Sequence, residues 1–196
     1  ACALRGDYAN RMPLAVKHPR LSSDEYEALQ AKAGWTAPVE LIGGEPVVTL
    51  PTAVRVSSVR GELFYVLRGW ASPGRGGLTL QNVFVRISEG TFLAPAVAWW
   101  SDSRRPSVGP GPIDTVPDLV IEVLAPSSRD NVLGPKCALY VAAGVNEIWV
   151  ADPHATQITV VSGGGERVFA RGEVLRSALL PGLAGRRLHH QLEWLI

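Results

Sequence analysis

Residues 117–153 read PDLVIEVLAPSSRDNVLGPKCALYVAAGVNEIWVADP, and the parsing of this stretch decides the fold. Pro117 opens a largely apolar run, Asp118 to Val123, rich in β-branched residues, which predicts a buried strand. Glu122 lies inside that run. An ionised carboxylate in such a place is costly unless a cation or hydrogen bonds compensate it. Side chains alternate along a strand, so Asp118, Val120 and Glu122 share one face. A polar turn follows, and Ser127 or Ser128 can cap the next helix. Pro135 cannot donate a backbone hydrogen bond, so that helix either starts at Pro135 or kinks before it. Gly144 ends it. Ile148 to Ala151 supplies a second apolar strand. The result is a strand-helix-strand unit with Glu122 and Lys136 expected to face one cavity.

Working outward, Ser22 and Glu25 have the spacing of a capping box and open an earlier helix that Gly34 ends. Val39 to Ile42 and Pro46 to Leu50 predict a strand pair around Gly43-Gly44, with Glu40 near its start. In residues 53–70, Val56, Val59, Leu63, Val66, Leu67 and Trp70 recur at helical spacing, which predicts the longest helix and a core-facing stripe. Residues 72–77 are glycine-rich but lack the strand-loop-helix setting of a phosphate loop. Residues 78–87 and 91–100 predict two strands. The Pro/Gly segment 104–112 joins them to the central strand. A hairpin is expected from residues 157–161 and 166–170, and a segment ending in Leu192, Trp194 and Leu195 closes the domain. The expected organisation is a poorly structured extension over residues 1–20 and one domain over 21–196.

Composition narrows the function classes. With 46% hydrophobic and 19% charged residues in 196, the chain is globular rather than disordered. A formal charge of +1 is no bulk nucleic-acid signature, so any DNA contact must come from a local basic patch. Lysine occurs only at 17, 32 and 136, which adds weight to Lys136 beside an acidic strand. Cys2 and Cys137 form no metal spacing and point to a reduced, cytoplasmic protein. No apolar run is long enough to span a bilayer. His154, His189 and His190 show no ligand spacing beyond adjacency.

The central motif resembles the Uma-two family of restriction-endonuclease-like proteins, within the PD-(D/E)XK nuclease superfamily. DEYEAL (24–29), VELIGGEPVV (39–48) and GEVLRSALLPGL (172–183) resemble the family's flanking segments. The resemblance implies an α/β, restriction-endonuclease-like fold with a curved mixed β-sheet and flanking helices. It implies a site of Asp118, Glu122 and Lys136, with Mg²⁺ or Mn²⁺ held by Asp118 and Glu122, Glu40 as an accessory residue, and DNA as substrate. A homodimer is a further expectation. The superfamily's usual lysine, two residues after the acid, is Leu124 here, and Lys136 is the natural replacement. Two departures stand out. The family's Pro-Asp pair before the central strand is Pro95-Ala96, and a histidine near the start of the long helix is replaced by Val56.

Metal-assisted phosphodiester hydrolysis needs clustered carboxylates. Four strand residues at about 3.3 Å each separate Asp118 from Glu122 by roughly 13 Å along the backbone, too far for easy sharing of one ion. Unless the chain bends sharply near Asp118, Glu122 therefore needs a partner from a neighbouring strand; the family's Pro-Asp position on the preceding strand would supply it, and here Ala96 offers a methyl group. Two readings follow: a Mg²⁺-dependent DNA endonuclease, or an impaired nuclease-fold protein that binds nucleic acid or a protein partner.

Overall fold

The computed structural model describes residues 20–36, 39–48, 54–71, 76–125 and 133–183. Helix α1 (Ser23–Lys32) starts at a capping box. The Ser22 hydroxyl accepts from the Glu25 N–H, and the Glu25 carboxylate accepts from the Ser22 N–H. A hairpin of β1 (Val39–Ile42) and β2 (Glu45–Val48) follows, then α2 (Val54–Ala71), whose buried positions include all six of the expected stripe.

The next four strands correct the sequence expectation. Residues 78–87 and 91–100 do not form two strands; each is broken in two. They give β3 (Leu78–Leu80), β4 (Val85–Ser88), β5 (Thr91–Leu93) and β6 (Val97–Trp100). The first break passes Asn82, whose φ of 52° is left-handed. The second passes Pro95, which cannot donate to a ladder. Both breaks carry the chain between two sheets. β4 and β5 belong to a four-stranded sheet ordered β2-β1-β5-β4, and β3 and β6 to a six-stranded one.

The six-stranded sheet is completed by β7 (Leu119–Val123), β8 (Glu147–Asp152), β9 (Gln157–Ser162) and β10 (Gly165–Ala170), in the order β10-β9-β8-β7-β6-β3. It is mixed, because β7 and β8 run parallel while their outer neighbours are antiparallel. Helix α3 (Leu133–Ala142) links that parallel pair, and Gly144 past its end takes φ 86°. The turn from β9 to β10 is Gly163-Gly164, so both strands run one residue further into it than expected.

Alternation along β7 divides the core. Leu119 and Ile121 join Val59, Leu63, Trp70 and Trp99 in one cluster with α2. Val120 joins Trp100, Ile148, Cys137 and Tyr140 in another, with α3 and with Val85 and Leu93 of the smaller sheet. Asp118 and Glu122 have the parity of Val120 and so lie on the α3 side. A third cluster seats Tyr26 of α1 against Leu41 and Phe92. No helix among the described residues is long and apolar enough to cross a membrane. The extension expected over residues 1–20 lies outside the described residues except for Arg20. The caps expected at Ser127 or Ser128 and the closing residues Leu192, Trp194 and Leu195 also lie outside them.

Candidate active site

The site begins with β7 placing Glu122 one residue before its end, on the face covered by α3. Lys136 and Tyr140 are four residues apart on α3, so both polar heads come off one side of that helix. The Lys136 ammonium donates to Glu122 Oε1 at 3.3 Å, and the Tyr140 hydroxyl donates to the same oxygen at 2.8 Å. The other sheet contributes Glu40 from β1, whose Oε1 accepts from Lys136 at 2.8 Å and from the Ala94 N–H at 2.7 Å. A single ammonium thus ties together two carboxylates from two different sheets. Glu40 and Lys136 are sealed, with side chains 1% and 6% exposed; Glu122, at 12%, is the most exposed of the three.

Burial and charge set the protonation of this cluster. Desolvation pushes the Glu40 carboxyl above its ordinary value, and the neighbouring Glu122 adds to the rise, while Lys136 and the Ala94 N–H oppose it. Burial alone would lower the Lys136 ammonium, but Glu122 and Glu40 outweigh it and the net shift is upward. Burial, followed by the Glu122 and Glu40 charges, holds the Tyr140 phenol well above its ordinary value. Lysine and tyrosine are therefore both protonated donors at neutral pH.

Asp118 lies elsewhere. Its Oδ2 accepts from the Ser101 N–H and hydroxyl, both at 2.8 Å. Its Oδ1 accepts from Arg104 at 3.1 Å and Asn146 at 2.9 Å. Its carbonyl accepts from the N–H groups of Asn146 and Glu147. Asp118 thereby ties the 3-10 turn Asp102–Arg104 to the loop entering β8. Of the four residues singled out in the sequence, the structure brings Glu40, Glu122 and Lys136 together, and Asp118 stands apart. Sequence reasoning passed over Tyr140, although its spacing of four from Lys136 was visible. Val56, where the resemblance expected histidine, is buried in the core.

Ala96 is 3% exposed. In the antiparallel pairing of β6 and β7, Val97 faces Ile121, and continuing that register by one residue puts Ala96 across from Glu122. Cross-strand neighbours sit about 5 Å apart, so on that extended register a side chain at 96 would lie beside Glu122.

The donor set fits a hard divalent cation only in part. Among the described residues, the hydrogen bonds to Glu122 come from Lys136 and Tyr140 and both fall on Oε1, and Glu40 Oε2 is buried with no hydrogen-bond partner. Each carboxylate therefore keeps one oxygen that no donor among the described residues claims, which suits an oxygen-seeking cation. Among the described residues, no group of three or more His, Cys, Asp or Glu could hold a metal. Glu40 and Glu122 are the residues that would hold one, with substrate and water completing the shell.

No curated protein matches the sequence. Among solved structures, one titled as a putative nuclease belonging to DUF820, from Anabaena variabilis, matches with a TM-score of 0.72 at 19% identity. The match covers 90% of this chain and 99% of that one. The likeness shows a shared fold, with the mixed sheet and flanking helices that the sequence led us to expect. The Uma2 family model, described as "Putative restriction endonuclease", matches residues 23–189, nearly the whole chain, and the protein belongs to that family.

Proposed function

We propose that the protein is a divalent-metal-dependent DNA nuclease with an incomplete metal site, which holds Mg²⁺ weakly on its own and better together with a DNA phosphate. The observation that carries this reading is the Lys136 ammonium shared between Glu40 and Glu122, each with one oxygen that no donor among the described residues claims. Mg²⁺ sites commonly use one or two protein carboxylates plus substrate phosphate oxygens, so two glutamates are enough when the substrate brings the remainder. When bound, the cation would supply an activated water and neutralise charge on the phosphate. Lys136, fixed by two carboxylates, adds a positive charge that stabilises the negative charge gathering on the phosphate oxygens. Asp118 is assigned to bracing the fold around the site.

A second reading, a nuclease-fold protein that binds nucleic acid without cutting it, is favoured by an alanine at 96, the position that the β6–β7 register, extended by one residue, sets beside Glu122. One experiment separates the two. Plasmid DNA is incubated with the protein and with Glu122→Gln in Mg²⁺ or Mn²⁺, and retention of a labelled duplex is followed in parallel. Slow nicking that needs both the metal and Glu122 supports the nuclease. Retention of duplex with no metal-dependent nicking rejects it in favour of the binding protein.

A further inference from the structure

Tyr140 is fully buried and shares its core with Val120, Val150 and Cys137. A phenylalanine ring would fill nearly the same space, so packing alone gives no reason for a hydroxyl. A buried hydroxyl needs a partner, and this one is spent on Glu122 Oε1, at 2.8 Å. Lys136 donates to that same oxygen from 3.3 Å while making its shorter bond, 2.8 Å, to Glu40. The lysine is thus a divided and more distant donor to Glu122, and the phenol is the nearer one. On Glu40, Lys136 and the Ala94 N–H likewise converge on one oxygen and leave the other bare. Both carboxylates are pinned in the same manner, each by two donors on a single oxygen.

We infer that Tyr140 is a positioning residue for Glu122: its hydroxyl pins one carboxylate oxygen so that the other stays turned out for a divalent cation. This rests on the nuclease reading given above. Lys136 cannot do the work alone, because a flexible four-carbon stem shared between two acids leaves the Glu122 carboxylate free to turn about its last bond. The rigid phenol, held by its ring in a packed core, removes that freedom. Hydrogen-bonding partners behind metal ligands act in this way, and their loss typically weakens metal affinity by about 10- to 100-fold.

The test is calorimetric titration of Mn²⁺ into the full-length protein and into Tyr140→Phe, with near-UV circular dichroism to compare their folds. The expected result is a folded variant whose Mn²⁺ affinity is lower by about 10- to 100-fold. A folded variant with unchanged affinity overturns the inference and leaves the nuclease reading standing. Loss of Mn²⁺ binding by the unmodified protein and by Ala96→Asp alike overturns the metal reading, and this inference with it. Should Tyr140→Phe fail to fold, 3-fluorotyrosine placed at 140 keeps the ring and the hydroxyl. Its fluorine resonance should then move as Mg²⁺ is added and saturate with the calorimetric curve. A resonance that ignores Mg²⁺ while calorimetry records binding overturns the assignment.

Discussion

Lys136 balances two acids at once, and their unequal burial decides what its removal does. Breaking a buried pair leaves an uncompensated charge and typically costs about 3 kcal/mol or more. Lys136→Ala should therefore lower the unfolding free energy by about 3 kcal/mol in urea melts of the metal-free protein. Adding Glu40→Gln to that variant should restore more than adding Glu122→Gln, because Glu40 is 1% exposed and Glu122 keeps 12%. Equal recovery by both, or no loss in the single variant, would remove the shared ion pair as a stabilising element. Asp118 makes a contrasting case. Its buried carboxylate accepts four hydrogen bonds, from Ser101, Arg104 and Asn146. Asp118→Ala should cost about 3 kcal/mol, since hydrogen bonds to a charged group are among the stronger ones. Its Mn²⁺ affinity should stay within about twofold of the parent's, as expected for separate sites. A collapse of metal affinity with little loss of stability would return Asp118 to the metal site.

Glu40 is held in place by an element that never touches the chemistry. Tyr26 and Gln30 of α1 both donate to the Val39 carbonyl, at 2.6 and 2.9 Å, fixing β1 one residue before Glu40. The capping box at Ser22 starts that helix. Ser22→Ala should lower stability by about 1 kcal/mol, read as a shifted urea midpoint with an unchanged slope. An unshifted midpoint would mean that the cap contributes nothing measurable to the domain. Local signals of this kind were legible in the sequence: the capping box, the apolar stripe of α2 and the acid within the run that became β7. The breaks at Asn82 and Pro95 were harder to read, because an apolar segment does not announce which of two sheets each half will join. The meeting of Glu40 with Lys136 spans 96 residues. Spacing along a chain carries no information about such a contact; only the pairing of β1 with β5, and the passage of the chain from β5 into β6, brings it about. Asp118 is the opposite case, a residue whose nearness to Glu122 in sequence does not give it the same partners. It shares a face with Glu122, but its distance along the strand leaves it to partners of its own.

At the scale of the molecule, the site sits where the chain crosses from one sheet to the other. Residues 94–96 carry the chain from β5 to β6. Ala94 lends its N–H to Glu40, and the β6–β7 register, extended by one residue, sets Ala96 beside Glu122. A carboxylate introduced at 96 would be the third around one lysine, in a place 3% exposed. Without metal, that crowding should destabilise the whole domain, since buried like charges are poorly solvated and repel one another. With metal, the same carboxylate completes a three-acid site, and ligand charge count is a main determinant of divalent affinity. Ala96→Asp should therefore melt below the parent in EDTA and gain far more from added Mn²⁺. Ligand at 100 times its Kd stabilises a fold by about 2.7 kcal/mol. For a domain of this size each kcal/mol shifts Tm by roughly 2–4 °C, so the gain should reach several degrees. The parent, with two carboxylates, should shift less at the same Mn²⁺ concentration. Placing Glu122→Gln in the Ala96→Asp background should cut the Mn²⁺-dependent gain sharply. Equal Mn²⁺ shifts in parent and Ala96→Asp would show that the position facing Glu122 contributes nothing to the ion, and that the missing carboxylate does not limit the site.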